Sequence, residues 1–106
     1  MIPQIVTRIG VQNAEQIAAH TLTTALGLGP YDLSADLGCC WDPENSDHKR
    51  AIEQVRAAAE QAGKPVWIGC DAERLRRDGY SFLWIGSVSG LLLGSFAEHI
   101  AAVRRG

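Results

Sequence analysis

The sequence predicts an α/β fold: four βα units in a row on a parallel sheet. Three observations lead there. Short apolar runs alternate with stretches of helical periodicity along the chain. The run Phe82 to Ile85 is unbroken, as in a parallel strand covered on both faces. No linker or low-complexity segment interrupts the alternation. With 106 residues, the chain is expected to form one domain over residues 1–106, and a hydrophobic content of 46% can supply its core.

The elements follow in order. Ile2 to Val6 reads as a short apolar strand. Gly10 to His20 reads as a helix, because Asn13 and Gln16 have capping-box spacing and Val11, Ala14, Ile17 and Ala18 share a face. Ala25 to Leu28 is the second strand, weakened by Gly27. Asp42-Pro43 reads as N-cap and first helical residue. The helix that follows runs to about Ala62, with Ala51, Ile52, Val55, Ala58, Ala59 and Ala62 at helical spacing. Gly63 ends it and Pro65 prevents its resumption. Val66 to Gly69 is the third strand, Asp71 to Asp78 a helix of about two turns, and Phe82 to Ile85 the fourth strand. The last helix spans about Ser89 to Arg105. Leu92, Phe96, Ile100 and Val103 mark its expected buried face, and Arg104 and Arg105 suit its negative C-terminal end.

Repeated βα units imply a parallel sheet with right-handed crossovers. Four of them make half of a (β/α)8 barrel, whose usual length is about 250 residues. A small open doubly wound sheet has the same pattern, and periodicity does not choose between the two.

Composition narrows the function. Net charge is −2 with both signs interleaved. The one basic cluster, Arg74, Arg76 and Arg77, is surrounded by Asp71, Glu73 and Asp78 and reads as a solvated helix face, so no nucleic-acid partner is expected. The first residues lack a basic stretch followed by an apolar run, and the apolar runs are too short to span a membrane, so neither a secretory leader nor a membrane partner is expected. Cys39, Cys40 and Cys70 lack CxxC spacing and point to a reducing, cytoplasmic setting. His20, His48 and His99 are scattered and read as surface histidines. Trp41, Trp67 and Trp84 read as packing residues.

Chemistry concentrates in "GLGPYDLSADLG", Gly27 to Gly38, where a lone carboxylate, Asp32, follows the end of an apolar strand. Gly29-Pro30 is either a substrate loop or a strand-ending turn. Asp32 is either a metal ligand or the cap of a helix starting at Leu33. Ser34 lacks a G-x-S-x-G elbow and is expected to bond locally to backbone rather than act as a nucleophile. No residue is singled out as catalytic.

This stretch resembles the HpcH/HpaI aldolase/citrate lyase family, whose sixth barrel strand ends in a pattern like (F/I)-I-G-P-x-D-L-S-x-x-L-G. Gly29, Pro30, Asp32, Leu33, Ser34, Leu37 and Gly38 match it. "IVTRIGVQNAEQIAA" is similar to the family's fifth strand and helix, "DHKRAIEQVRAAAEQAGKPVWIG" to helix six and strand seven, and "DGYSFLWIGSVSGLLLGSFAEHI" to strand eight and its helix. The resemblance covers essentially the whole chain and implies the C-terminal half of a TIM barrel. It also implies divalent-metal (class II) aldol chemistry on pyruvate-type 2-oxo acids, with Mg2+ or Mn2+ as a Lewis acid. By position it makes Asp32 one of two metal-binding carboxylates. It makes Gly29, Pro30, Tyr31 and Asp32 the substrate loop, with the N–H groups of Tyr31 and Asp32 receiving the substrate carboxylate.

The departures carry equal weight. The family's strand five reads like Q-(I/V)-E-(S/T), whereas this chain has Gln4-Ile5-Val6-Thr7, so Val6 stands where the second metal-binding acid is expected. Strand eight continues G-(S/T)-D in the family, and here Val88 follows Gly86-Ser87. The first four βα units are not in the sequence, so metal binding is expected to be weak and the chain to be a truncated, inactive aldolase by itself. Two classes of function follow: a metal-dependent aldolase or lyase completed by a partner chain that supplies the other half, or a non-catalytic half-barrel that self-associates. Four strands cut from a barrel leave two open edges and one sheet face without cover, which predicts a homo-oligomer, most simply a dimer completing a barrel.

Overall fold

A computed structural model describes residues 1–40, 42–70 and 72–106. The expectations for Trp41 and Asp71 lie outside the described residues. The elements run β1 (Gln4–Ile5), α1 (Arg8–Gln12), α2 (Ala14–Ala19), β2 (Leu26–Leu28), α3 (Pro30–Asp36), α4 (Ser46–Gln61), β3 (Val66–Ile68), α5 (Ala72–Arg77) and α6 (Val88–Arg105). The three strands form one parallel sheet in the order β1-β2-β3.

Register decides which side chains face which way. Ile5 pairs with Leu28 and Leu28 with Ile68, while Leu26 pairs with Val66. These residues are buried on the face covered by helices. Gln4, Gly27 and Trp67 are likewise aligned across the three strands and occupy the opposite face, because side chains alternate along a strand. The buried face packs on α4, which is apolar at Ala51, Val55, Ala58 and Ala59. Small residues let α2 approach α4 closely: Ala14 and Ala18 on one helix meet the alanines of the other, all buried. Lys64 locks this corner, its Nζ donating to the carbonyls of Ala18 and His20 just past the end of α2. Gly63 takes a left-handed φ of 66° and ends α4, as Gly63 and Pro65 predict.

Several expected boundaries move. The Gly10 to His20 helix is two helices meeting at Asn13. Asn13 does not cap through its side chain, which donates instead to the Ile9 carbonyl, and the cap of α1 is Thr7, whose hydroxyl accepts from Gly10 N–H. Asp42-Pro43 does not start α4. Asp42 accepts from Glu44 N–H in a local turn, and Asn45 caps the helix by accepting from the N–H groups of Asp47 and His48.

The largest correction concerns the fourth βα unit. Phe82 to Ile85 makes no ladder, and the sheet has three strands among the described residues, not four. An apolar run becomes a parallel strand when both its faces are covered. Here Trp84 is 37% and Ile85 78% exposed, so the run has no such cover. The expected buried face of the last helix is exposed as well: Leu92, Phe96, Ile100 and Val103 all face solvent, and α6 buries no residue. The helix forms because Ser87 caps it, accepting from Gly90 N–H, and because its Leu, Ala and Arg residues are good helix formers that offset Gly90 and Gly94. The radius of gyration is 16.5 Å and the extents are 56 × 30 × 22 Å. A compact chain of this length has a radius of about 13 Å. Among the described residues no helix is long and apolar enough to cross a membrane.

Leu26 is fully buried between β2 and α4. Leu26→Ala is expected to cost about 2–5 kcal/mol, read as a lower urea midpoint at unchanged slope. A loss within about 0.5 kcal/mol, the usual range for a surface change, would show that this contact does not organise the core.

Candidate functional site

The first strand and α3 together bring three side chains to one point. Gly29 follows β2 directly and is buried, and its backbone N–H donates to the Ile5 carbonyl at 3.1 Å. Around the position a Cβ would occupy on Gly29 stand Val6 Cγ1 at 2.8 Å, Gln4 Nε2 at 3.1 Å and Asp32 Oδ2 at 3.3 Å. Gln4 and Val6 reach this point together because they are two residues apart near the end of one strand and share a face. Glycine is needed at position 29 because nothing larger fits beside Val6.

The rest of the loop follows from Pro30. Its fixed φ suits the first turn of α3, whose N-cap is Gly29. Asp32 is therefore the third residue of α3 and not its cap, so the capping role expected of it is not what the fold uses; a carboxylate in the first turn still complements the helix dipole. Asp32 is exposed, as is Tyr31, while Pro30 is half-buried. Ser34 is buried and its hydroxyl donates to the Tyr31 carbonyl at 2.7 Å, the local bond expected of it.

His48 departs from its expectation. It is 6% exposed, not on the surface, and its Nε2 lies 3.0 Å from the Pro30 carbonyl oxygen. His20 and His99 are exposed, as expected. Sequence reasoning also missed Gln4. Its signal was present, since a residue two before Val6 on a strand shares its face.

Behind α3, on the helix side of the sheet, lies a cavity of about 510 Å3 between α4 and α5, lined in part by Pro30, Tyr31, His48, Cys70, Arg74 and Tyr80. It does not contain Gly29 or Asp32. Its charged groups have local partners: Lys49 with Glu44, Arg56 with Glu53, and Arg74 with Asp78. The hydrogen bond and charge of Lys49 hold the Glu44 carboxyl below its usual range. Burial pushes the Tyr80 hydroxyl up, opposed by the guanidinium of Arg56, which sits 4.4 Å from the ring centroid.

The donor set at Gly29 does not fit a divalent metal. Asp32 offers one carboxylate and Gln4 an amide, while Val6 presents a methyl group. A hard cation needs several oxygen ligands. Among the described residues no group of three or more His, Cys, Asp or Glu side chains is placed to hold a metal ion.

Comparison with known proteins shows the family. The profile described as HpcH/HpaI aldolase/citrate lyase matches residues 1–94. A hydroxypyruvate/pyruvate aldolase of Chromohalobacter salexigens is 33% identical over 105 residues, covering 95% of this chain and 41% of that protein. A 5-keto-4-deoxy-D-glucarate aldolase of Klebsiella pneumoniae is 35% identical, covering 86% of this chain and 37% of that protein. The crystal structure of an HpcH/HpaI aldolase/citrate lyase family protein from Burkholderia cenocepacia superposes with a TM-score of 0.84 at 33% identity, covering 95% of this chain and 41% of that one. The chain thus spans about two fifths of the length of these relatives.

The approach of Val6 to Gly29 yields a test. Gly29→Ala is expected to destabilise the protein by about 1–3 kcal/mol through overpacking. Adding Val6→Ala removes the nearest atom and is expected to restore part of the loss in a double-mutant cycle by urea denaturation. Strict additivity of the two substitutions would mean that these side chains do not converge.

Proposed function

Because the chain belongs to the HpcH/HpaI aldolase/citrate lyase family, we propose that it is the substrate-loop half of a carbon–carbon lyase acting on pyruvate-type 2-oxo acids, without aldolase turnover by itself. The observation that carries this reading is the convergence of Gln4, Val6 and Asp32 on Gly29 beyond the C-terminal ends of β1 and β2. In barrels of this kind the active site sits at that end of the strands.

Gly29, Pro30, Tyr31 and Asp32 would meet the carboxylate end of the substrate. Gly29 contributes by lacking a side chain, and the first turn of α3 contributes its positive end. Asp32 works against binding when it acts alone, since its negative charge stands beside an incoming anion. A divalent cation would supply Lewis acidity toward a keto oxygen, but it would need more oxygen donors than Asp32 and Gln4 offer. With Val6 in place of an acid the chain does not hold Mg2+ or Mn2+ tightly enough for that role. The remaining βα units of a barrel would come from a partner chain or a second copy, in a cytoplasmic setting consistent with three free cysteines.

A second reading is favoured by Val6 together with the bare apolar side chains of α6: a non-catalytic half-barrel whose role is association with its own kind. Both readings expect assembly. Sedimentation analysis is expected to show a dimer or a multiple of it at micromolar concentration, and a stable folded monomer would overturn the assembly.

Activity separates what assembly does not. The purified chain, supplied with Mg2+ or Mn2+, is expected to show no pyruvate aldol cleavage or condensation. Metal-dependent turnover that Asp32→Asn abolishes would overturn the claim that it is inactive alone. Val6→Glu is expected to tighten Mn2+ binding at least tenfold in calorimetric titration. No change there would mean that positions 6 and 32 do not face one site, and the aldolase reading would give way to the non-catalytic one.

A further inference from the structure

We infer that His48 is a positioning residue, which holds the Gly29–Asp32 loop in register from the neighbouring helix. The importance of the loop rests on the aldolase reading above; the hold itself does not. His48 lies in the first turn of α4, and its ring is buried against α3. Its Nε2 is 3.0 Å from the carbonyl oxygen of Pro30. A carbonyl only accepts, so Nε2 is the nitrogen that carries the proton and donates. In the neutral ring that leaves Nδ1 as the bare nitrogen, and among the described residues the buried Nδ1 has no hydrogen-bond partner.

This arrangement is costly for a mere space-filler. An apolar side chain would occupy the same volume without burying an unsatisfied nitrogen. What the imidazole adds is a donor on a rigid ring, aimed at the backbone of the first residue of α3. The contact joins residues 18 apart in sequence across the connection between α3 and α4. The Pro30 carbonyl stands between Gly29, which Val6 and Gln4 crowd, and Asp32, whose carboxylate reaches the same point. A shift of α3 along its axis would move that carboxylate away from Val6 and Gln4 on the neighbouring strand, and the His48 bond opposes such a shift. Ser34 secures the next carbonyl, that of Tyr31, so two successive carbonyls of the loop are each held by a side chain.

The test reads the ring and the loop separately. In uniformly 15N-labelled protein, long-range proton–nitrogen correlation spectra are expected to show His48 as a single Nε2–H tautomer. A ring protonated on Nδ1 alone, or averaging between tautomers, would overturn the inference. His48→Val keeps the bulk and removes the donor, and His48→Gln supplies an amide donor of similar reach. In His48→Val the amide of Leu33, which closes the first turn of α3 on the Gly29 carbonyl, is expected to exchange with solvent at least tenfold faster. Amides around Val55 in the core of α4 are expected to keep their protection, and His48→Gln to return Leu33 toward the native rate. Equal Leu33 rates in all three proteins, or loss of protection in α4 in step with α3, would show that His48 only fills space. If His48→Val does not fold, failure of His48→Gln to protect Leu33 overturns the inference alone.

Discussion

A three-stranded parallel sheet can be covered by its own crossover helices on one face, and in this molecule the rest follows from that one-sided burial. Ile5, Leu26, Leu28, Val66 and Ile68 satisfy the covered face against α4. The opposite face carries Gln4, Gly27 and Trp67 in one register row and Val6 and Gly29 in the next. Its composition is that of a lining: two glycines, an amide, an aromatic ring and one valine, with no continuous apolar layer. Trp67 partly fills the space above Gly27, its Cε3 standing 3.4 Å from where a Cβ would be. The same asymmetry explains the fourth unit, since Phe82 to Ile85 has the pattern of a doubly covered strand in a chain that offers no second cover.

The candidate site inherits its strengths and its gap from this face. The strands aim Val6 and Gln4, the loop aims Asp32, and Gly29 leaves room for all three. The chemistry that a metal would bring needs a second acid, and the strand delivers a methyl group to the place where it would stand. The likeness in fold is thus separate from any inherited activity.

Much of this was legible in the sequence. Three strands and the last helix lie within a residue or two of where hydrophobic periodicity puts them, and α4 starts three residues late, because Leu26, Val55 and Ile68 are patterned by the core they fill. The caps were less legible. Asp42 and Asn45 are three residues apart, each has a carbonyl oxygen within reach of a backbone N–H, and only packing decides which one starts the helix. Asn13 has the spacing of a cap but spends its amide on Ile9. The stripe of Leu92, Phe96, Ile100 and Val103 states that α6 has an apolar face, but a stripe carries no information about what meets it. At the site, Asp32 was legible from its place after a strand. Gln4 was hidden as an ordinary polar residue, and His48 was hidden because a buried histidine looks like a surface one until its partner, the Pro30 carbonyl, is seen.

The order of strands also bears on how the chain reaches its native state. Both β1 and β3 pair with β2, yet each is separated from it by an entire helical crossover. No hairpin exists to start the sheet locally, so its ladder forms only after those long loops have closed, a slow and entropically costly step. In the folded chain the alanine contact of α2 with α4, pinned by Lys64 on the carbonyls of Ala18 and His20, joins the two crossovers that flank β2. That corner of small side chains thus ties together the two long loops that the sheet has to close.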